Sequence, residues 1–87
     1  MPWVEKEPYS EEWILPLSFG EGCLYTYTED GVKMFGYYIS VRDVEDEAIV
    51  FSGLLDGSIL LEKAKKHVCL KASEFFLKLS KELRSNA

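Results

Sequence analysis

Residues 61–83, LEKAKKHVCLKASEFFLKLSKEL, carry one apolar stripe at helical spacing. With Leu61 as origin and a step of about 100° per residue, Leu61, Ala64, Val68, Ala72, Phe75, Phe76, Leu79 and Leu83 fall within about 60° of a single line. The phase does not slip over six turns. This predicts one amphipathic helix running from a Ser58 cap to Arg84, the serine hydroxyl accepting a backbone N–H of the first turn. Such a helix needs a complementary surface to bury its stripe, and residues 13–60 read as the sheet that supplies it.

A helix of that length spans about 40 Å, whereas a compact domain of this size has a radius of gyration of roughly 12 Å and a diameter of about 30 Å. The mismatch leaves one alternative open: residues 67–72, HVCLKA, as a fifth strand, with Ser73 capping a second helix. The unbroken phase favours the continuous helix.

The sheet half divides at its turn residues. Residues 13–19, WILPLSF, form a strand that Pro16 confines to an edge or a bulge. Gly20, Glu21 and Gly22 are expected to turn the chain into a second strand, Cys23 to Thr28, rich in Tyr and Thr as strands are. Residues 28–31, TEDG, signal a hairpin with Gly31 at positive φ. In the next strand, Val32 to Val41, alternation puts Phe35, Tyr37, Ile39 and Val41 on one face and Met34, Gly36, Tyr38 and Ser40 on the other. Gly36 marks a bulge or a close backbone approach. Residues 42–47 are an acidic turn, and residues 48–51 a short strand that Ser52 and Gly53 end. Residues 1–12, with two prolines and four glutamates, read as an extended N-terminal arm ahead of a single domain at 13–87.

The expected fold is therefore α+β: a four- to five-stranded antiparallel meander, strongly curved or small-barrel-like, packed against one long C-terminal amphipathic helix. Its expected core is Trp13, Leu15, Tyr25, Phe35, Tyr37, Ile39, Val50, Leu61, Val68, Phe75 and Leu79.

A content of 47% hydrophobic and 14% aromatic residues suffices for a core and excludes a disordered chain. No apolar run approaches the ~20 residues that cross a bilayer. Residues 1–7, MPWVEKE, offer neither a basic start nor an apolar signal core, so the expected compartment is the cytoplasm, with Cys23 and Cys69 as thiols. The net charge of −5 is uneven: residues 1–56 carry −9 and residues 57–87 carry +4. An acidic sheet and a basic helix complement each other within one molecule or between two. Lysines late in a helix also favour its dipole.

No constellation of catalytic residues stands out. His67 is the only histidine, and on a helix it points about 160° away from Cys69, so no metal site is expected. The carboxylates Asp43, Glu45, Asp46 and Glu47 lack the alternate spacing and terminal Glu of a calcium loop and read as a solvated turn. The glycines match no phosphate-binding pattern. Nucleic acid is disfavoured by the acidity of the sheet, where stacking platforms would lie. Membrane-surface binding is disfavoured because the helix stripe is needed for the core. Neither partner is expected.

Residues 30–36, DGVKMFG, followed by alternating apolar residues, resemble the strand pair that opens a PRC-barrel, a small adaptor module. Residues 48–72 resemble part of a flavin-reductase-type split barrel. That second resemblance implies a dimer binding FMN phosphate through basic and hydroxyl residues, for which the sheet half offers Arg42 and Lys33. The reading that the residues support is a non-enzymatic protein-interaction or assembly domain, adaptor-like and homodimeric, with no cofactor; the alternative is an FMN-type small-molecule binder. The expected interface lies opposite the core stripe, where Ile59, Leu70 and Leu77 sit at about 160–180° from Leu61. Leu70 and Leu77 are two turns apart, as in a seam between helices, and Lys66 and Arg84 belong to its basic rim.

Overall fold

The computed structural model describes residues 3–42 and 46–87. Five strands, β1 (Val4–Glu5), β2 (Glu12–Leu17), β3 (Gly20–Glu29), β4 (Val32–Arg42) and β5 (Glu47–Asp56), precede one helix, α1 (Leu61–Ser85). The strands pair in chain order, all antiparallel, as an open meander with β1 and β5 at its edges. The sheet does not close into a barrel.

Hairpin chemistry sets the register. Glu29 pairs with Val32, so Asp30 and Gly31 alone make the β3–β4 turn, both with positive φ. That is the primed two-residue turn whose twist matches its flanking strands. The β2–β3 turn is Ser18 and Phe19, because Leu17 pairs with Gly20. Gly20, Glu21 and Gly22, expected as a turn, lie inside β3 instead. These glycines serve close approach. A Cβ on Gly20 would collide with the backbone carbonyl of Ser40, and one on Gly22 would touch Ile39, Leu15 and Trp3.

Gly36 and Gly53 have the same use for aromatic rings. Tyr25 lies where a Cβ of Gly36 would be, and Tyr37 where a Cβ of Gly53 would be. Gly53 therefore continues a strand that it was expected to end, and β5 runs to Asp56. The irregularity in the β4–β5 ladder is elsewhere: Ile39 pairs with Phe51 and Ser40 with Ile49, leaving Val50 as the extra residue of a bulge. The bulge turns Val50 partly out to solvent, so it is not in the core. The stretch expected as an arm contributes β1, and Trp3 packs on the core cluster. Of the acidic turn, Asp43 and Glu45 lie outside the described residues.

The helix is continuous through residues 67–72, so the alternative of a strand there falls. It begins at Leu61, and its N-cap, Leu60, makes no side-chain cap bond. Ser58 does not cap it. The Ser58 N–H instead donates to Asp56 Oδ1 at 2.9 Å, closing the turn between β5 and α1 and holding the Asp56 carboxyl below the usual carboxylate range.

The core forms between α1 and one face of the sheet. Leu24, Phe35, Tyr37, Ile39, Ala64, Val68 and Ala72 make one buried cluster, with Trp13, Phe51, Leu55 and Leu61 packed around it. The small Ala64 and Ala72 let the helix axis approach the sheet closely. Tyr25 lies on the opposite face, where it stacks beside Tyr27 and Tyr38 at ring separations of 6.0 and 6.3 Å. The main departure is at the far end of the helix. Phe75 and Leu79, expected in the core, are 40% and 41% exposed.

Candidate functional site

The distal half of α1 explains that departure. Its stripe keeps the phase that the sequence predicts, but the sheet beneath it is too short. Phe75 and Phe76 make the aromatic contacts with the sheet, against Phe51 at ring separations of 5.0 and 6.5 Å. Beyond them a hollow of about 240 Å³ is lined by Phe75, Lys78, Leu79 and Glu82, helix residues alone. Leu83, one turn further, is 63% exposed. A stripe continuous with the core thus runs on into solvent for about two turns.

The shape of the molecule records the same mismatch. It measures 47 × 26 × 26 Å with a radius of gyration of 14.3 Å, against roughly 12 Å for a compact chain of this length. Its accessible surface is 6492 Å², whereas a compact monomer of this mass exposes about 5,200 Å². The excess exceeds the ~800 Å² that one partner contributes to a standard interface.

Beside this stripe lies a groove of about 310 Å³ between α1 and the β2 side of the sheet, lined by Leu15, Leu17, Ile39, Cys69, Ala72 and Phe76 among others. Among the described residues its lining includes no charged side chain. A ligand site of ordinary kind adds a few convergent polar groups to such a surface. This groove suits apolar groups better than charged ones.

On the opposite face, Tyr25, Tyr38, Ile49, Ser52 and Leu54 line a shallow cleft of about 220 Å³. That is below the ~300 Å³ at which drug-sized ligands begin to fit. Lys33 and Arg42, the two bases available for an FMN phosphate, stand near opposite ends of β4. Nine strand steps of about 3.4 Å separate them by roughly 30 Å along β4. They do not converge on one phosphate, and Lys33 faces Glu11 at 3.6 Å.

The residues expected at an interface are divided by the structure. Leu70 and Leu77 are 58% and 57% exposed on the back of α1, with Lys66 and Arg84 exposed beside them. Ile59 is separate: it precedes the helix and packs on the core cluster. Sequence reasoning missed Phe75 and Leu79 as surface residues because it placed both in the core. The comparison of helix length with body diameter, which left the broken-helix alternative open, was the signal that the distal stripe outruns the sheet.

The edge strand β5 also exposes apolar side chains, Ile49, Val50 and Leu54. Its bulge and the acids Glu47 and Asp56 at its ends are devices that blunt edge-to-edge pairing.

His67, Cys69 and Cys23 point three ways. His67 sets its ring edge-on to Tyr37 at 5.9 Å, Cys69 borders the apolar groove, and Cys23 is fully buried. Both cysteines are free thiols. Burial pushes the Cys23 thiol above its ordinary value, with the neighbouring Tyr38 hydroxyl pulling it partly back. Tyr38 itself is shifted upward, first by its hydrogen bond with Cys23 and then by burial. Both groups are neutral when protonated, so raised folded values stabilise the fold at neutral pH. That contribution is fully present below the unfolded thiol value of about 8.5 and is lost as pH rises through the folded one. The urea midpoint should therefore fall between pH 8 and pH 10 through Cys23, and Cys23→Ala should flatten that fall. In the native state a thiol reagent should titrate Cys69 quickly and Cys23 only after unfolding. Rapid reaction of both would contradict the burial of Cys23.

Four ion pairs join described residues: Lys6 with Glu12, Lys33 with Glu11, Lys65 with Glu62 and Lys71 with Glu74. None joins the sheet to the helix. The acidic half and the basic half thus do not neutralise each other directly within the described part of the molecule. No described helix is long and apolar enough to cross a membrane. Comparison with protein-family models, with curated proteins and with solved structures finds no match for this chain.

Proposed function

We propose that this protein is a small non-enzymatic assembly domain of the cytoplasm that acts through protein contacts, its simplest partner being a second copy. One observation carries the reading: the apolar stripe of α1 continues for about two turns past the core, from Phe75, which Phe51 covers on one side, to Leu79 and Leu83, which extend beyond the sheet. An apolar surface continuous with a core costs solubility when left bare, and large exposed patches mark sites of association. The separation of charge between the halves supports the same reading, since opposite charges not paired within a molecule remain free to steer a partner.

The direct test is the mass in solution by light scattering or sedimentation at about 100 μM and at low salt. A dimer or larger closed assembly is the expected result; a monomer throughout would remove the homo-oligomeric reading. Raising salt from about 50 to 500 mM shortens the screening length from roughly 14 to 4 Å. Association should weaken, while the unfolding free energy of the separated chain should change by less than about 1 kcal/mol, because each ion pair has at least one exposed member. Association unaffected by salt would show that the charge asymmetry plays no part.

A further inference from the structure

The hollow on the distal helix has a composition that fits itself. Its floor is apolar, Phe75 and Leu79, and its walls are one cation and one anion, Lys78 and Glu82. Lys65 and Lys71 each pair with a glutamate of the same helix, whereas Lys78 and Glu82 make no ion pair among the described residues. Positions 75, 79 and 83 are spaced evenly about Leu79. In two antiparallel helices related by a twofold axis at Leu79, residues whose numbers add to 158 stand at the same height.

We infer that a second copy of this chain seats on the distal stripe of α1 antiparallel to it, with the twofold axis at Leu79. This rests on the assembly reading above and gives it a surface and a geometry. Leu79 meets the partner's Leu79, and Phe75 meets the partner's Leu83 at each end. The twofold keeps Lys78 and Glu82 on the same flank of both helices and reverses their order. Lys78 then lies within two residues of the partner's Glu82, an axial offset of about 3 Å, and the same pair forms again by symmetry. A parallel pair would carry the partner's Lys78 and Glu82 to the opposite flank of the seam and lose this complementarity.

Three further observations favour a second copy on this surface. The excess of accessible surface, 6492 Å² against about 5,200 Å², is more than the ~800 Å² that one protomer hides in a standard dimer. The apolar groove beside Leu15 and Leu17 meets the stripe at Phe76, the height that the partner's last helical turn reaches. The back face is unsuitable for the same pairing. Leu70 and Leu77 are surrounded there by Lys63, Lys66, Lys81 and Arg84, and a twofold seam would bring these cations together.

The test uses the full chain and sedimentation at about 100 μM. Leu79→Glu with Leu83→Glu should raise the dimer dissociation constant at least about 100-fold, as loss of central anchors does, while the far-UV circular dichroism and cooperative unfolding persist. Leu70→Glu with Leu77→Glu should leave the dimer intact. Lys78→Glu alone should weaken association, and adding Glu82→Lys should restore it. Leu79→Cys in a Cys69→Ser background should give a disulfide-linked dimer on mild oxidation, a readout that needs no buried charge and so stands if the glutamate variant fails to fold. If the wild type is a dimer but Leu79→Cys does not cross-link, or the Leu79 and Leu83 variant stays dimeric, this seam is wrong and the assembly reading survives. If the dimer is lost in the Leu70 and Leu77 variant instead, the back face is the seam. A wild type that is monomeric removes both inferences together.

Discussion

Val68→Asp should leave this chain unfolded, whereas Leu70→Asp, two residues further along the same helix, should leave it folded. Val68 is fully buried in the cluster with Leu24, Phe35, Tyr37 and Ile39, and no cation belongs to that cluster. A carboxylate placed there must stay ionised without a partner or bind a proton at neutral pH, at a cost of several kcal/mol. Lost packing of the valine adds about 1–2 kcal/mol. A domain of this size has a total stability of about 4–13 kcal/mol, so the sum removes most or all of it. Leu70 is more than half exposed, and a charge there meets water. Circular dichroism and urea unfolding of the two variants decide the matter. Equal effects would mean that the helix does not present one buried face.

Leu24→Ala should destabilise the fold by about 2–5 kcal/mol, the range for truncating a buried leucine. Leu24 is fully buried in β3, and its cross-strand partners Trp13 and Tyr37 belong to the same packed layer. Phe75→Ala, although it removes a larger side chain, should cost the separated chain only about 1–2 kcal/mol. A fully buried phenylalanine would cost about 3–5 kcal/mol, but Phe75 is 40% exposed and its Phe51 contact is one-sided. Chemical unfolding at low protein concentration, below any association, measures both. If Phe75→Ala is the more damaging of the two at that concentration, the distal stripe is core within a single chain and the surface proposed for assembly is not free. At high concentration the order should narrow, because the cover supplied by a second chain then contributes to the stability of Phe75.

The elements whose signals are local were legible in the residues. The hairpin at Asp30 and Gly31 follows from backbone chemistry, because positive φ at two successive positions is what those residues tolerate. The two faces of β4 follow from alternation, and the continuity of α1 follows from a phase kept over 23 residues. Other features depend on a neighbour in space and carry no local mark. Gly20, Gly22 and Gly53 look like chain breakers in the sequence. They are strand residues because the Ser40 carbonyl, the Ile39 side chain and the Tyr37 ring occupy the volume that a side chain would need. The burial of Leu24 was likewise invisible, since Cys23, Leu24 and Tyr25 are all apolar or aromatic and alternation does not say which face is covered.

The candidate site divides in the same way. The stripe from Leu61 to Leu83 is a property of the sequence alone, fixed by the 3.6-residue period of the helix. How much of that stripe finds a cover depends on the length of another element. Only the tertiary structure decides it, by setting the register of α1 on β4 and β5 so that Ala64, Val68 and Ala72 meet the sheet, Phe75 and Phe76 meet Phe51, and Leu79 and Leu83 extend beyond. Periodicity tells a helix which of its faces is apolar; the reach of the surface opposite determines how far along that face water is excluded.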